Sequence, residues 1–102
     1  MRPVVWSEEA IADLDGIIDY ITPRNPTAAF RVIDHIEQAG DGLGEMATGR
    51  PGRVAGTYEK IVPGLPYVLA YAIQSLPDGE EAIVILRAIH GARDWPPGGW
   101  PK

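Results

Sequence analysis

The sequence predicts an α+β fold, ordered β-α-α-β-β-β, with an N-terminal strand and a helical hairpin packed on a small, mainly antiparallel sheet. Three observations lead there. Apolar residues recur at steps of three and four up to Ala47, then at steps of two from Tyr58 onward. The switch falls in "TGRPGRVAGT", a turn-rich link of Gly and Pro. The two helical stretches are joined only by "TPRNP", short enough to make them antiparallel neighbours.

The elements follow in order. "RPVVW" reads as a strand at a sheet edge, given Pro3 near its start. Ser7 is a good helix N-cap, with Glu8 and Glu9 in the first turn favoured by the helix dipole. Ile11, Leu14, Ile18 and Ile21 then form one apolar stripe, leaving Asp13, Asp15 and Asp19 on a solvated face. Asn25 can cap a second helix whose first residue, Pro26, loses nothing by lacking an N–H. That helix is expected to run from Thr27 to Ala47, with Ala29, Ile33, Ile36, Gly40, Leu43 and Ala47 inward and His35 on the surface. Gly40, Gly42 and Gly44 weaken it by about 1 kcal/mol each relative to Ala. Close helix packing accounts for Gly40, and the other two point to fraying or an early helix end. Beyond the link, "YEKIV", "YVLAYAI" and "EAIVILRAIH" read as three strands in a meander. Asp78-Gly79 suits the hairpin turn between the last two.

Residues 1–97 make one domain, and residues 98–102 a flexible tail. The chain has no cysteine, so disulfides and thiolate chemistry drop out. No apolar run approaches the ~20 residues of a membrane span, and the N-terminus has no signal-peptide pattern. A cytoplasmic protein is expected. Up to Glu45 there are nine acids against three arginines; from Met46 there are five acids against six bases. That balance argues against direct DNA binding by the chain alone. Two histidines are too few for a zinc site, and no Gly-rich phosphate loop joins a strand to a helix. No metal and no cofactor is implied.

The sheet carries one apolar face too many. Tyr67, Leu69, Tyr71 and Ile73 point one way in their strand, and Val68, Ala70 and Ala72 the other. In the last strand simple alternation groups Ile83, Ile85 and Ile89 with Arg87, and Val84, Leu86 and Ala88 with His90. A helical hairpin covers one face, whereas an antiparallel sheet with a solvated face should be polar there. The second face is therefore shaped to receive either the chain's own C-terminal tail or another chain.

Taken together, "WSEEAIADLDGIIDYI", "NPTAAFRVIDHIE", "GRPGRVAGTYEKIVPGLPYVLAYAI" and "VILRAIHGARDWP" resemble the RelE/ParE superfamily of bacterial type II toxins, the ParE branch more closely. The resemblance spans nearly the whole chain. It implies a toxin of the plasmid-stabilisation kind, with DNA gyrase as target and a ParD-like antitoxin bound in a hetero-oligomer. The surplus face would then receive the antitoxin through Tyr67, Leu69, Tyr71, Ile83 and Ile85. The target would meet Arg53, Arg87, His90, Arg93 and Trp95. The RelE branch instead implies a ribosome-dependent mRNA endonuclease, for which Lys60, Arg87 and His90 are the catalytic candidates. A third alternative is a non-toxic antitoxin-binding module. The sequence departs from the ParE pattern at Tyr58, where Arg is frequent, and lacks the terminal Tyr of the ribonucleases.

Cutting RNA without a metal requires a base, an acid and cations around the phosphate. His90, Arg87, Arg53 and Arg93 are the residue types for it. Against that stand an ion-paired Arg87 at the sheet and a His90 hydrogen-bonded to a backbone carbonyl at the strand end, which need no catalysis. For the tail, Trp95 is expected to fold back onto the protein and be mostly buried, Gly91 to let the chain leave the sheet at a sharp angle, and Trp100 to stay mobile or serve only in a complex.

Overall fold

In the computed structural model, which describes residues 1–101, each helix begins where the sequence caps it. Lys102 of the expected tail lies outside the described residues. Strand β1 (Val4–Trp6) leads into helix α1 (Glu8–Ile21), whose first turn is closed by Ser7 Oγ accepting the Ala10 N–H at 3.1 Å. Helix α2 (Pro26–Asp41) opens with the Asn25 side chain accepting the Ala28 N–H at 3.1 Å. It ends six residues short of Ala47. A single 3₁₀ turn, Gly42–Gly44, carries the chain back to the sheet.

Two of the glycines near that end have a steric reason. A Cβ on Gly40 would press into the Trp6 ring and come within 2.7 Å of Ile85 Cδ1. So Gly40 lets α2 approach β1 and the sheet, not the other helix. Gly44 likewise abuts the backbone of Arg2, whose N–H donates to Gly44 O at 2.9 Å. Trp6 is fixed in this corner by its indole N–H, which donates to Asp41 at 3.1 Å.

The link expected to be only a turn contributes a short strand, β2 (Arg50–Pro51), paired antiparallel with β3 (Tyr58–Ile61). Strands β4 (Tyr67–Ser75) and β5 (Glu81–His90) form the long hairpin at the centre. At its turn Asp78 Oδ1 accepts the Glu80 N–H, and Gly79 takes a φ of 87°. The sheet order is β1-β5-β4-β3-β2, with β1 added in parallel at the edge.

A β-bulge corrects the reading of β5. Tyr71 faces Ile85 while Ala70 faces Arg87, so Leu86 is an extra residue and the alternation reverses there. Ile83 and Ile85 lie with Tyr71 on the helix side. Beyond the bulge it is Ala88 and His90 that join Leu69 and Tyr67, and Arg87 and Ile89 move to the far face. The core under the helices is built from Ala10, Ile36, Leu43, Leu69, Tyr71, Ile83, Ile85 and Ala88. In α1 the stripe turns with it: Ala10, Leu14 and Ile17 pack inward, and Ile11 is exposed.

Candidate functional site

Sheet edges need partners, and β5 loses its partner early, because β1 pairs only as far as Ile85. Side chains of the next element take over. Ser7 Oγ donates to Leu86 O at 3.0 Å, and Asp13 Oδ2 accepts the Ala88 N–H at 2.9 Å. Arg87 closes on the same carboxylate through Nε at 2.7 Å and Nη2 at 3.1 Å. The hydrogen bonds to Asp13 outweigh the effect of burial and raise the Arg87 pKa further, so its charge is permanent. Asp13, expected on a solvated face, is thus half-buried and structural. Its partner lies in β5, 74 residues away in sequence, which no local pattern could disclose.

Past Asp13 the gap between α1 and the end of β5 opens into a cleft of about 500 Å³ lined by Gly16, Tyr20, Tyr67, His90 and Arg93 among others. Tyr67 and His90 meet edge to face at 5.4 Å between centroids. His90 Nδ1 accepts the Ala92 N–H at 3.1 Å, so the imidazole is held to a backbone amide, not the carbonyl expected, and keeps its proton on Nε2. Burial, then the neighbouring Tyr20, pushes the Tyr67 phenol pKa up. Gly91 has no left-handed backbone, and a Cβ there would find only ordinary contacts; its N–H bonds Pro66 O at 2.7 Å. The sharp exit expected of Gly91 is not required.

The other face carries a second ion-pair group. Glu59 is 2 % exposed. It accepts the Arg53 N–H at 2.8 Å, the Arg53 guanidinium at 3.2 and 3.3 Å, and Arg50 Nη2 at 3.4 Å. Burial pushes its pKa up, but the Arg53 amide and guanidinium and then Arg50 outweigh that and hold it below the usual carboxylate value. Trp95 lies flat on Arg53, the guanidinium carbon 3.9 Å from the ring centroid, and Trp100 rests against Trp95 at 6.1 Å. The chain's own tail thus meets the second face at Arg53.

The predicted sites can now be placed. Tyr67, Leu69, Tyr71, Ile83 and Ile85, expected to receive an antitoxin, are all buried on the helix side, none more than 9 % exposed. The helical hairpin covers them, so that assignment is corrected: they are core. Lys60 shares their side and donates to Thr48 Oγ1 at 2.8 Å, beside the Tyr71 hydroxyl on Thr48 O. Arg87 lies at the sheet edge on Asp13, and His90 at the strand end two strands from Lys60, roughly 10 Å of sheet. Arg53 and Trp95 meet on the far face, while Arg93 stands with His90 in the cleft. Sequence reasoning put Ile11 and Ile33 on its apolar stripes and did not single out Phe30. Phe30 is 81 % exposed on α2, and Ile11 and Ile33 line a groove of about 340 Å³ between the helices with Trp6, Leu14 and Ile18. Their spacing marks an apolar stripe, and nothing in it distinguishes an outward stripe from an inward one.

A helical hairpin packed on a sheet of this order is a build shared with small toxins of type II systems. A P. aeruginosa structure described as a chromosomal ParDE TA system matches with a TM-score of 0.78 and 26 % identity, over 88 % of this chain and 96 % of that one. The family described as ParE toxin of type II toxin-antitoxin system, parDE, matches residues 4–95. The chain belongs to that family. The Sinorhizobium fredii protein Y4kP, which carries a toxin designation, is 37 % identical over 93 % of this chain and 94 % of its own length. A Caulobacter vibrioides protein named Toxin RelE2 is 39 % identical over 91 % of this chain and 99 % of its own. Among the described residues no helix is long and apolar enough to cross a membrane.

Proposed function

We propose that this type II toxin acts in the cytoplasm as a non-catalytic inhibitor of DNA gyrase, and that a cognate ParD-like antitoxin neutralises it by direct binding. One observation carries the first half. The groups a metal-free ribonuclease would need are dispersed: Lys60 is tied to Thr48, Arg87 to Asp13 and Arg53 to Glu59, on two faces and an edge of the sheet. Among the described residues, the expected set of Lys60, Arg87 and His90 does not converge on one phosphate-sized position. For the second half, the groove between α1 and α2, with Phe30 beside it, offers an apolar seat for an amphipathic segment.

The discriminating experiment is expression with and without the antitoxin, followed by separate assays of gyrase supercoiling and of translation on purified ribosomes. Inhibited supercoiling with intact mRNA is the expected result. Codon-positioned mRNA cuts, lost on changing His90, would overturn it in favour of the ribonuclease reading. That second reading draws on the RelE2 designation of one relative and on the cleft where His90 Nε2–H, Tyr67 and Arg93 stand together. Growth unimpaired without antitoxin, with the complex still formed, would leave the non-toxic binding module.

A further inference from the structure

We infer that the segment from Trp95 to Pro101 is a releasable strap closed over the second face of the sheet, clamped by Arg53 between the Glu59 carboxylate and the Trp95 ring. This rests on contacts within the chain and is independent of which target the toxin meets. The guanidinium stacks on Trp95 at 3.9 Å, and its N–H groups point into Glu59 at 3.2 to 3.3 Å. A cation–π contact is stronger when the cation is fixed and partly desolvated, and Glu59 does both. The ring of Trp100 prolongs the stack at 6.1 Å, and Pro101 is buried. On the same face as Glu59, Val68, Ala70 and Ile89 are at most 5 % exposed although they point away from the helices.

The hold is narrow. The segment's own backbone bond is local, Gly99 N–H to Pro96 O at 3.1 Å, and no strand ladder ties residues 95–101 to the sheet. Trp95 Nε1–H is enclosed with no acceptor among the described residues, a standing penalty on the closed state that opening relieves. Pro96 and Pro97 make the strap stiff, so it leaves as a unit, and Gly98, at a φ of 70°, turns its end. One aromatic clamp, one unpaired donor and no ladder make a two-state element. While the strap is closed the face under it is unavailable to another chain; open, it presents an apolar strip flanked by Arg50 and Arg53.

Fluorine NMR of the full chain labelled with 5-fluorotryptophan tests this, because Trp6, Trp95 and Trp100 give separate resonances assignable by single Trp→Phe changes. Trp95 and Trp100 are expected away from the free-indole shift, with small solvent-isotope effects. Arg53→Ala and Glu59→Gln should bring both to the free-indole value with the full isotope effect, leaving Trp6 unmoved. Trp95→Leu keeps the Arg53–Glu59 pair and should free Trp100. The strap is overturned by a wild-type Trp95 already at the free value, or by Arg53→Ala leaving it in place. It is overturned too by a Trp6 that shifts with the others, which would make the clamp part of the core, or by a Trp100 indifferent to Trp95→Leu.

Discussion

At the scale of single residues, the charges decide where this protein spends its stability. Asp13 and Arg87 are each under a fifth exposed and joined by two hydrogen bonds, with the Ala88 amide as a third claimant on the carboxylate. Removing only one partner strands the other, so Asp13→Ala should cost about 3 kcal/mol in urea unfolding. Asp13→Ala with Arg87→Met should cost less than the two single changes added, since the stranded charge is gone. Glu59 sets the acid limit. Its folded pKa lies below its unfolded one, so the unfolded chain takes up the proton first, and stability present at neutral pH falls as pH drops below about 4.5. A Glu59→Gln chain should therefore be less stable at pH 7 yet show a flatter loss on acidification, read from melting temperatures across that window. Trp95 folds back onto Arg53 and is half-buried, less than the mostly buried ring expected, and its indole N–H has no acceptor among the described residues. Trp95→Ala should cost about 1–2 kcal/mol, short of the 3–5 typical of a buried aromatic.

Individual elements show which signals the sequence carries and which it hides. Ser7, Asn25 and Pro26 announce both helix starts, because capping is local chemistry between neighbours. Alternation shows that Tyr67, Leu69 and Tyr71 share one face of β4, but with Val68, Ala70 and Ala72 apolar on the other it does not show which face the helices cover. The bulge at Leu86 is silent: one inserted residue reverses the alternation, and "VILRAIH" reads equally well either way. Its consequence is the misplacement of Ile89 and Arg87. Strand β2 is two residues long and includes a proline, below what periodicity can register. The glycines of α2 are legible as oddities, but their partner, Trp6, is known only once β1 is docked. Two substitutions separate these effects. Gly40→Ala gains helix propensity yet drives a Cβ into Trp6 and Ile85, and should destabilise by about 1–3 kcal/mol. Gly16→Ala, mid-α1 with nothing within 4 Å, should stabilise by roughly 0.5–1 kcal/mol. Equal effects at the two sites in thermal melts would remove the steric account of Gly40.

For the whole molecule, the two halves of the chain divide the labour by charge. The acids are concentrated in the helical half, where Asp15 and Glu37 border the groove that also holds Ile11, Ile18 and Ile33. Large apolar side chains stand on that outer surface: Phe30 is 81 % and Ile11 48 % exposed, and neither packs against the core. An antitoxin segment seated there should present an apolar stripe flanked by Lys or Arg, and its association should slow as salt is raised. Phe30→Glu combined with Ile11→Asp should leave the melting temperature within a degree or two, since both sites are solvated. The same pair should weaken the antitoxin complex by at least about 100-fold, the loss of two apolar anchors. Tyr71→Ala, by contrast, should unfold the chain before it informs on binding, because its ring fills the core and its hydroxyl bonds Thr48 O at 2.8 Å. Titration calorimetry of the double variant settles the point. Undiminished antitoxin affinity would move the docking site off the hairpin, to the sheet face that the C-terminal segment now covers.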